Sequence, residues 1–446
     1  MNILNLAISD SGGAGQVSSN TNRFFIERGY NSVLVVKETE LNDKNVIAFG
    51  RTQLPGSFIL KCKYCFQKVL RLYRRFFPLE INENFSFHGI RERKKHISAA
   101  KILRRIPFKP DVIIIYWVSD FINTKTIYDL EKLSGAKILW VMTDNAPMTG
   151  GCHYPWDCKG FESDCKNCPA ILTDSKKKIA EENLAFKKKY IPKNIELFVG
   201  STSDYIRASK SQLFRDKKIK WIFPPIDENK FYPGSKIEAR SYFGINSGKK
   251  VIFYGASEFK YTRKGGKYFL DAMLQLKNLK FEGKSLIDDL VILIAGRDWQ
   301  KNFENSELPI IDVGYLSEDE LIKAYQAADV FISPSVEDSG PAMVLQSIMC
   351  GTPIVAFNTG IAMDIVKKGE TGYLAQLADP DDLANGIKYM LTLSQKELNA
   401  ISTNCRQLGL LKYTTDKYLK VLIDAFPVKK SIKEMNPSQS KQVVNY

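Results

Sequence analysis

No stretch of this sequence approaches the roughly 20 uninterrupted apolar residues that a membrane-spanning helix needs. Its first residues, MNILNLAISDSGG, carry no basic leader, long apolar run or small-residue cleavage site. A cytoplasmic location is therefore expected. No internal repeat is found beyond a shared βα rhythm, and no RRM, KH or helix-turn-helix pattern is present. The loop after the first strand is neither GxGxxG nor does it carry a P-loop lysine, which argues against a standard dinucleotide or NTPase site.

What is there suits a globular protein with a large core. The chain has 446 residues, of which 44% are hydrophobic, 11% aromatic and 25% charged. That composition excludes wholesale disorder and fibrous structure, and the length predicts more than one domain. Lysine and arginine outnumber acids by 64 to 49, a net charge of +15. Such an excess favours nucleic acid, anionic lipid or phosphorylated small molecules as partners. It is dense over residues 61–109 and 176–189, so a localised basic surface is expected.

Four of the eight cysteines crowd into GGCHYPWDCKGFESDCKNCP, at Cys152, Cys158, Cys165 and Cys168. Without a secretion signal, clustered thiolates more often hold a metal than form disulfides. Four soft ligands in one compact loop suit tetrahedral zinc in a closed structural site; free thiols and a pair of disulfides are the alternatives. Cys62 and Cys65 lie apart, where Phe58, Ile59, Cys62, Phe66, Val69, Leu70, Tyr73 and Phe77 recur at spacings of three and four with Lys61, Lys68, Arg71, Arg74 and Arg75 elsewhere. This is the pattern of an interfacial membrane helix, or of a surface helix packed on its own domain.

Apolar runs NILNLAI, SVLVVK, DVIIIYW, KILWVMTD and IELFVGS alternate with helical patterns, and a second cycle starts at KKVIFYGA. Two doubly wound α/β domains in series are predicted, 1–215 and 216–411, with residues 412–446 crossing back to the first. The loop Ser11 to Gly15 joins a strand to a helix, where Gly12 and Gly13 let backbone approach an anionic ligand. In FISPSVEDSGPAMVLQSIMCGTPIVAFNTG, Glu337 and Asp338 follow a strand, at the edge where open α/β sheets bind ligands; acids there also cap helices.

These motifs resemble the retaining GT-B glycosyltransferases of family 4, whose second domain carries PSxxEGFGLPxLEAMACGTPVV. Ser333 to Asp338 and Ser347 to Pro353 match it; FPPIDENKFYP is similar to the family's IPNGIDxxxFxP, and TRKGGKYFLDAM to its KGxxxLLxA loop. The segment TDNAPMTGGCHYPWDC with CKNCPA resembles a branch that makes bacterial cell-surface polysaccharides such as lipopolysaccharide, O-antigen and capsule. The resemblance implies a GT-B fold of two facing Rossmann-like domains, and retaining transfer, commonly described as front-face substitution, from a UDP- or GDP-linked sugar to a polyprenyl-linked glycan at the inner membrane face. It implies no catalytic metal and no nucleic-acid partner.

Residue by residue, it places Arg263 and Lys264 on the donor phosphates with Gly12 and Gly13 opposite, Glu337 or Asp338 on the sugar, and Ser339, Gly340 and Pro341 beside the donor. Gln346 stands where most relatives have a ribose-binding Glu. Asp144 is a catalytic candidate, but where many relatives have His-Asp this chain has Thr143-Asp144, and Thr is no imidazole base. A non-catalytic zinc-containing nucleic-acid binder would account for the charge and the cysteines, but not for the acidic pair at a sheet edge; a degenerate transferase acting as a scaffold is the other alternative, motivated by Thr143 and Gln346.

Overall fold

The computed structural model describes residues 1–40, 43–50, 79–94, 96–246, 248–259, 261–281, 284–299, 303–304, 306–340 and 342–427. The expected amphipathic helix over Phe58 to Phe77, with Cys62 and Cys65, lies outside the described residues, as does Pro341. No helix among the described residues is long and apolar enough to cross a membrane.

The first sheet comprises β1 (Asn2–Ser9), β2 (Asn31–Glu38), β3 (Val46–Ala48), β4 (Val112–Ile115), β5 (Lys137–Val141), β6 (Glu196–Val199) and β7 (Lys218–Trp221), in spatial order β3-β2-β1-β4-β5-β6-β7. The second is built from β8 (Lys250–Glu258), then, after a hairpin of β9 (Lys280–Phe281) and β10 (Lys284–Ser285), β11 (Leu290–Arg297), β12 (Ile310–Asp312), β13 (Val330–Ser333), β14 (Ile354–Phe357) and β15 (Gly372–Ala375). Its order is β12-β11-β8-β13-β14-β15, and all pairings in both large sheets are parallel. The central strands are continuous apolar runs, such as Val33 to Val36 and Val112 to Ile115, because helices cover both faces of a parallel sheet.

Each sheet reverses its strand order once, between β1 and β4 and between β8 and β13, opening a crevice at the carboxyl edge. The two carboxyl edges carry the residues that meet across the domains. β7 pairs with β6, so the first sheet extends to Trp221, beyond the 215/216 boundary expected from sequence. The double proline Pro224-Pro225 follows and halts regular structure there.

After the helix Gln395–Lys412, whose start is set by a capping box of Ser394 and Glu397, the chain returns to the first domain. The helix Thr415–Ile423 buries Tyr418, Leu419 and Leu422 among Phe24, Phe25 and Ile3, and Thr21 Oγ1 donates to Tyr418 Oη at 3.0 Å.

Candidate active site

The loop after β8 and the loop after β13 are laced together by backbone. Val336 N donates to Arg263 O at 2.8 Å, and Gly265 sits at φ +70° so close to β13 that a Cβ would lie 1.7 Å from Pro334 O. Only glycine permits this approach. It delivers Arg263 and Lys264 to Asp338: Arg263 Nη1 donates to Asp338 Oδ2 at 3.1 Å and Lys264 Nζ donates to the same oxygen. Burial alone would raise the Asp338 carboxyl, but the charges of Lys264 and Arg263 outweigh it and hold it below the usual carboxylate range. Burial also pulls the Lys264 ammonium below its ordinary value, against the attraction of Asp338. Asp338 Oδ1 accepts from Gly340 N at 3.3 Å.

Glu337 points the other way, into the first domain. Both its oxygens accept from the Arg207 fork, at 2.8 and 2.9 Å. Arg207 lies on the helix Thr202–Lys210, capped by Ser201 and docked at its N-terminus on Asp364 of the second domain through Thr202 N, at 2.9 Å. Asp204, one turn before Arg207, is 1% exposed, and the Ser201 hydroxyl beside it is too poorly placed to relieve the burial of its carboxylate. Burial pushes its carboxyl up to about 8, with Glu337 and Asp338 adding to the rise and Arg207 opposing it.

Two further contacts close the cleft. Asn145 Nδ2 donates to Ser339 Oγ at 3.1 Å, and the Arg263 guanidinium lies 4.2 Å over the Tyr154 ring.

Asp144 is buried, accepting from Ala146 N at 2.8 Å through Oδ1 and pairing with His153 Nδ1 at 3.0 Å through Oδ2. Burial would raise its carboxyl, but His153 reverses the shift. His153 Nε2 lies 3.1 Å from Ser119 Oγ, and its ring centroid is 4.6 Å from that of His88. An imidazole thus reaches Asp144 from His153, nine residues further along, by a chain reversal through Gly150 and Gly151. These two glycines pack so tightly that a Cβ would approach Ala180 O to 2.3 Å and Gly89 Cα to 2.6 Å.

Gln346 does not join this group: its Oε1 accepts from Tyr325 Oη at 3.1 Å. Gly12 and Gly13 begin the helix Gly12–Glu27 at the carboxyl edge of β1, and a Cβ on either would meet nothing within 4 Å. Gly12, at φ +72°, needs glycine for its backbone, whereas Gly13 leaves open space.

The four clustered cysteines form no disulfide and line one small cavity with Phe87, Phe161 and Ala180, leaving room for about one water-sized sphere, about 10 Å3. Gly160 N donates to Cys158 Sγ at 3.4 Å, while burial pushes the Cys165 thiol up to about 12 and raises Cys152 and Cys168. No three His, Cys, Asp or Glu side chains among the described residues stand together as a metal shell.

Sequence reading missed Asn145, Arg207, Asp204 and the role of His153. Arg207 is one of many basic residues in its stretch, and only the turn before it, TSD after the strand IELFVGS, marks a helix start at a sheet edge.

Comparison with known proteins agrees with this architecture. Residues 235–408, nearly the whole second domain, match the family described as "Glycosyl transferases group 1". A D-inositol 3-phosphate glycosyltransferase of Thermobifida fusca is 29% identical over 188 residues, 39% of this chain and 42% of the relative. The chain thus spans less than half the length of that relative. Sucrose-phosphate synthase from Thermosynechococcus elongatus superposes with a TM-score of 0.63 at 16% identity, covering 95% of this chain and 98% of that one. Anabaena HepE in complex with UDP-glucose gives 0.58 at 14% identity, covering 95% and 99%. The fold is that of GT-B glycosyltransferases: two parallel-sheet Rossmann-like domains.

Proposed function

We propose that this chain is a retaining glycosyltransferase that takes a sugar from a nucleotide-sugar donor held mainly by the second domain. One observation carries the reading: Arg263, Lys264, Glu337 and Asp338 converge at the switch point of the second sheet and face Asn145, Asp144 and Arg207 of the first domain. A nucleoside diphosphate leaves with developing negative charge, which two cations beside backbone amides stabilise without a metal. In the closed cleft that pair is held by the single carboxylate of Asp338, and donor phosphate would displace it, freeing Asp338 to accept sugar hydroxyls. Glu337 is likewise held by Arg207 until a ligand competes. Asp144 acts through His153, fixing its ring at the first-domain side of the cleft, so it is a positioning residue.

The match over residues 235–408, the fold, and the printed activities of the similar proteins all support glycosyl transfer. UDP as the nucleotide is supported by the Anabaena complex. A lipid-linked glycan acceptor in surface polysaccharide synthesis, reached from the inner face of the cytoplasmic membrane, is supported by the GGCHYPWDC segment and by the basic, apolar-faced run over residues 58–77. The inositol-phosphate and sucrose-phosphate relatives make a soluble polar acceptor the competing reading. Structural zinc on Cys152, Cys158, Cys165 and Cys168 rests on their spacing in sequence and their shared cavity, and requires the thiols to draw together from positions in which no three form a metal shell.

The test is thermal unfolding of the purified chain with UDP, GDP and ADP, each with and without its sugar. A rise with one nucleotide identifies the donor class. No rise with any of them, in protein shown to be folded, rejects the reading.

A further inference from the structure

Asn145 occupies the position just before the short helical turn Ala146–Met148. An asparagine there ordinarily caps the turn with its side chain. Asn145 makes no such bond. Its backbone is already engaged, N donating to His153 O at 3.0 Å and O accepting from Met148 N at 3.2 Å. The side chain instead crosses to the second domain, giving one Nδ2 proton to Ser339 Oγ at 3.1 Å. Its Oδ1 is buried and has no partner, and the residue is 0% exposed.

A fully buried primary amide can make four hydrogen bonds and here makes one. Exchanging the O and N of the amide leaves the conclusion unchanged: one end meets a hydroxyl and the other meets nothing. Native interiors rarely tolerate such a group unless something else satisfies it.

Its surroundings indicate what that is. Ser339 follows Asp338, which Arg263 and Lys264 hold, and Glu337 lies two residues earlier on the Arg207 fork. On its own side, Asn145 follows Asp144, which holds His153. A ligand lying between the domains must part the Asn145–Ser339 contact, and the serine hydroxyl then marks a place where a ligand hydroxyl fits. An amide both donates to and accepts from a hydroxyl, so it distinguishes a polyol from an apolar group more sharply than a packing contact does.

We propose that Asn145 reads a hydroxyl of the donor's sugar, making it a specificity-determining residue at the seam between the domains. This rests on the glycosyltransferase reading. The amide contributes nothing to binding of the nucleotide and its phosphates, which belong to the second domain, and acts only on the sugar.

Calorimetric titration of the full chain with UDP, UDP-glucose, GDP and GDP-mannose tests it. The quantity read is the gain in affinity that the sugar brings over the bare nucleotide. Asn145→Leu, which keeps the branched shape and removes both hydrogen-bonding ends, should cut that gain about 10-fold and leave bare-nucleotide affinity within about two-fold. Should Asn145→Leu fail to fold, Asn145→Ser takes its place, with a smaller loss of the same sign.

An unchanged gain in the Asn145 variant overturns the proposal. So does an equal loss for bare and sugar-bearing nucleotides, which would make the residue a structural tie. A wild-type chain that binds a nucleotide but gains nothing from either sugar overturns the proposal while leaving nucleotide binding in place; one that binds no nucleotide defeats the underlying reading itself.

Discussion

Arg207 of the first domain forks onto both carboxylate oxygens of Glu337 of the second, at 2.8 and 2.9 Å, a bidentate tie between the two halves of the molecule. The Glu337 side chain is 6% exposed and that of Arg207 18%, so water screens the pair poorly.

Removing one partner of such a pair leaves a buried charge uncompensated. Arg207→Ala should cost about 3–5 kcal/mol of stability in urea unfolding, and Arg207→Lys, which cannot form the fork, should recover only part of it. A loss below about 0.5 kcal/mol for Arg207→Ala would mean that the pair does not hold the domains together in solution.

Asp204 should give stability a slope with pH. Its folded carboxyl titrates at about 8, against about 4 when unfolded, so between those values the native state binds the extra proton. Stability therefore falls as pH rises through this window, by up to roughly 1.4 kcal/mol per unit, and the effect is complete above about 8. Asp204→Asn should remove this slope, gaining on wild type steadily from pH 5 to pH 8.5. Parallel pH profiles for the two proteins would show that Asp204 ionises as it does in an unfolded chain.

Asp338 competes with phosphate for Arg263 and Lys264, which leads to opposite effects from neighbouring substitutions. Lys264→Ala should weaken UDP about 10-fold in calorimetry, whereas Asp338→Asn should strengthen bare UDP several-fold while weakening UDP-glucose relative to it. If Asp338→Asn weakens both ligands equally, the carboxylate supports the cations rather than competing for them.

The cysteine cluster yields a compositional test. Mass spectrometry of the metals in protein purified without chelator should show about one zinc per chain, lost in Cys165→Ser and Cys168→Ser, with a fall of several degrees in melting temperature. Metal-free protein in which Cys152, Cys158, Cys165 and Cys168 all react as free thiols once unfolded would leave packing as the only force closing that loop.

Much of the architecture was legible because it depends on local pattern. A buried parallel strand must be apolar along its whole length, so DVIIIYW and KKVIFYGA announced β4 and β8, and glycine-bearing turns marked where strand passes to helix. Arg263, Lys264, Glu337 and Asp338 could be singled out because each sits in a short motif at the end of a strand, where open sheets bind ligands. The strand Lys218–Trp221 was harder to place, since KIKW is half exposed at the edge of its sheet and its pattern does not say which sheet it joins.

The sequence by itself therefore determined two doubly wound domains, the acidic and basic loops of the second, and four cysteines gathered in one short segment. Only the tertiary structure decided that Arg207 meets Glu337 across 130 residues, that Asn145 meets Ser339 across 194, and that His153 turns back onto Asp144. Chain connectivity sets local pattern, whereas partners so far apart in sequence are chosen by how two finished domains face each other. No periodicity along the chain records that choice.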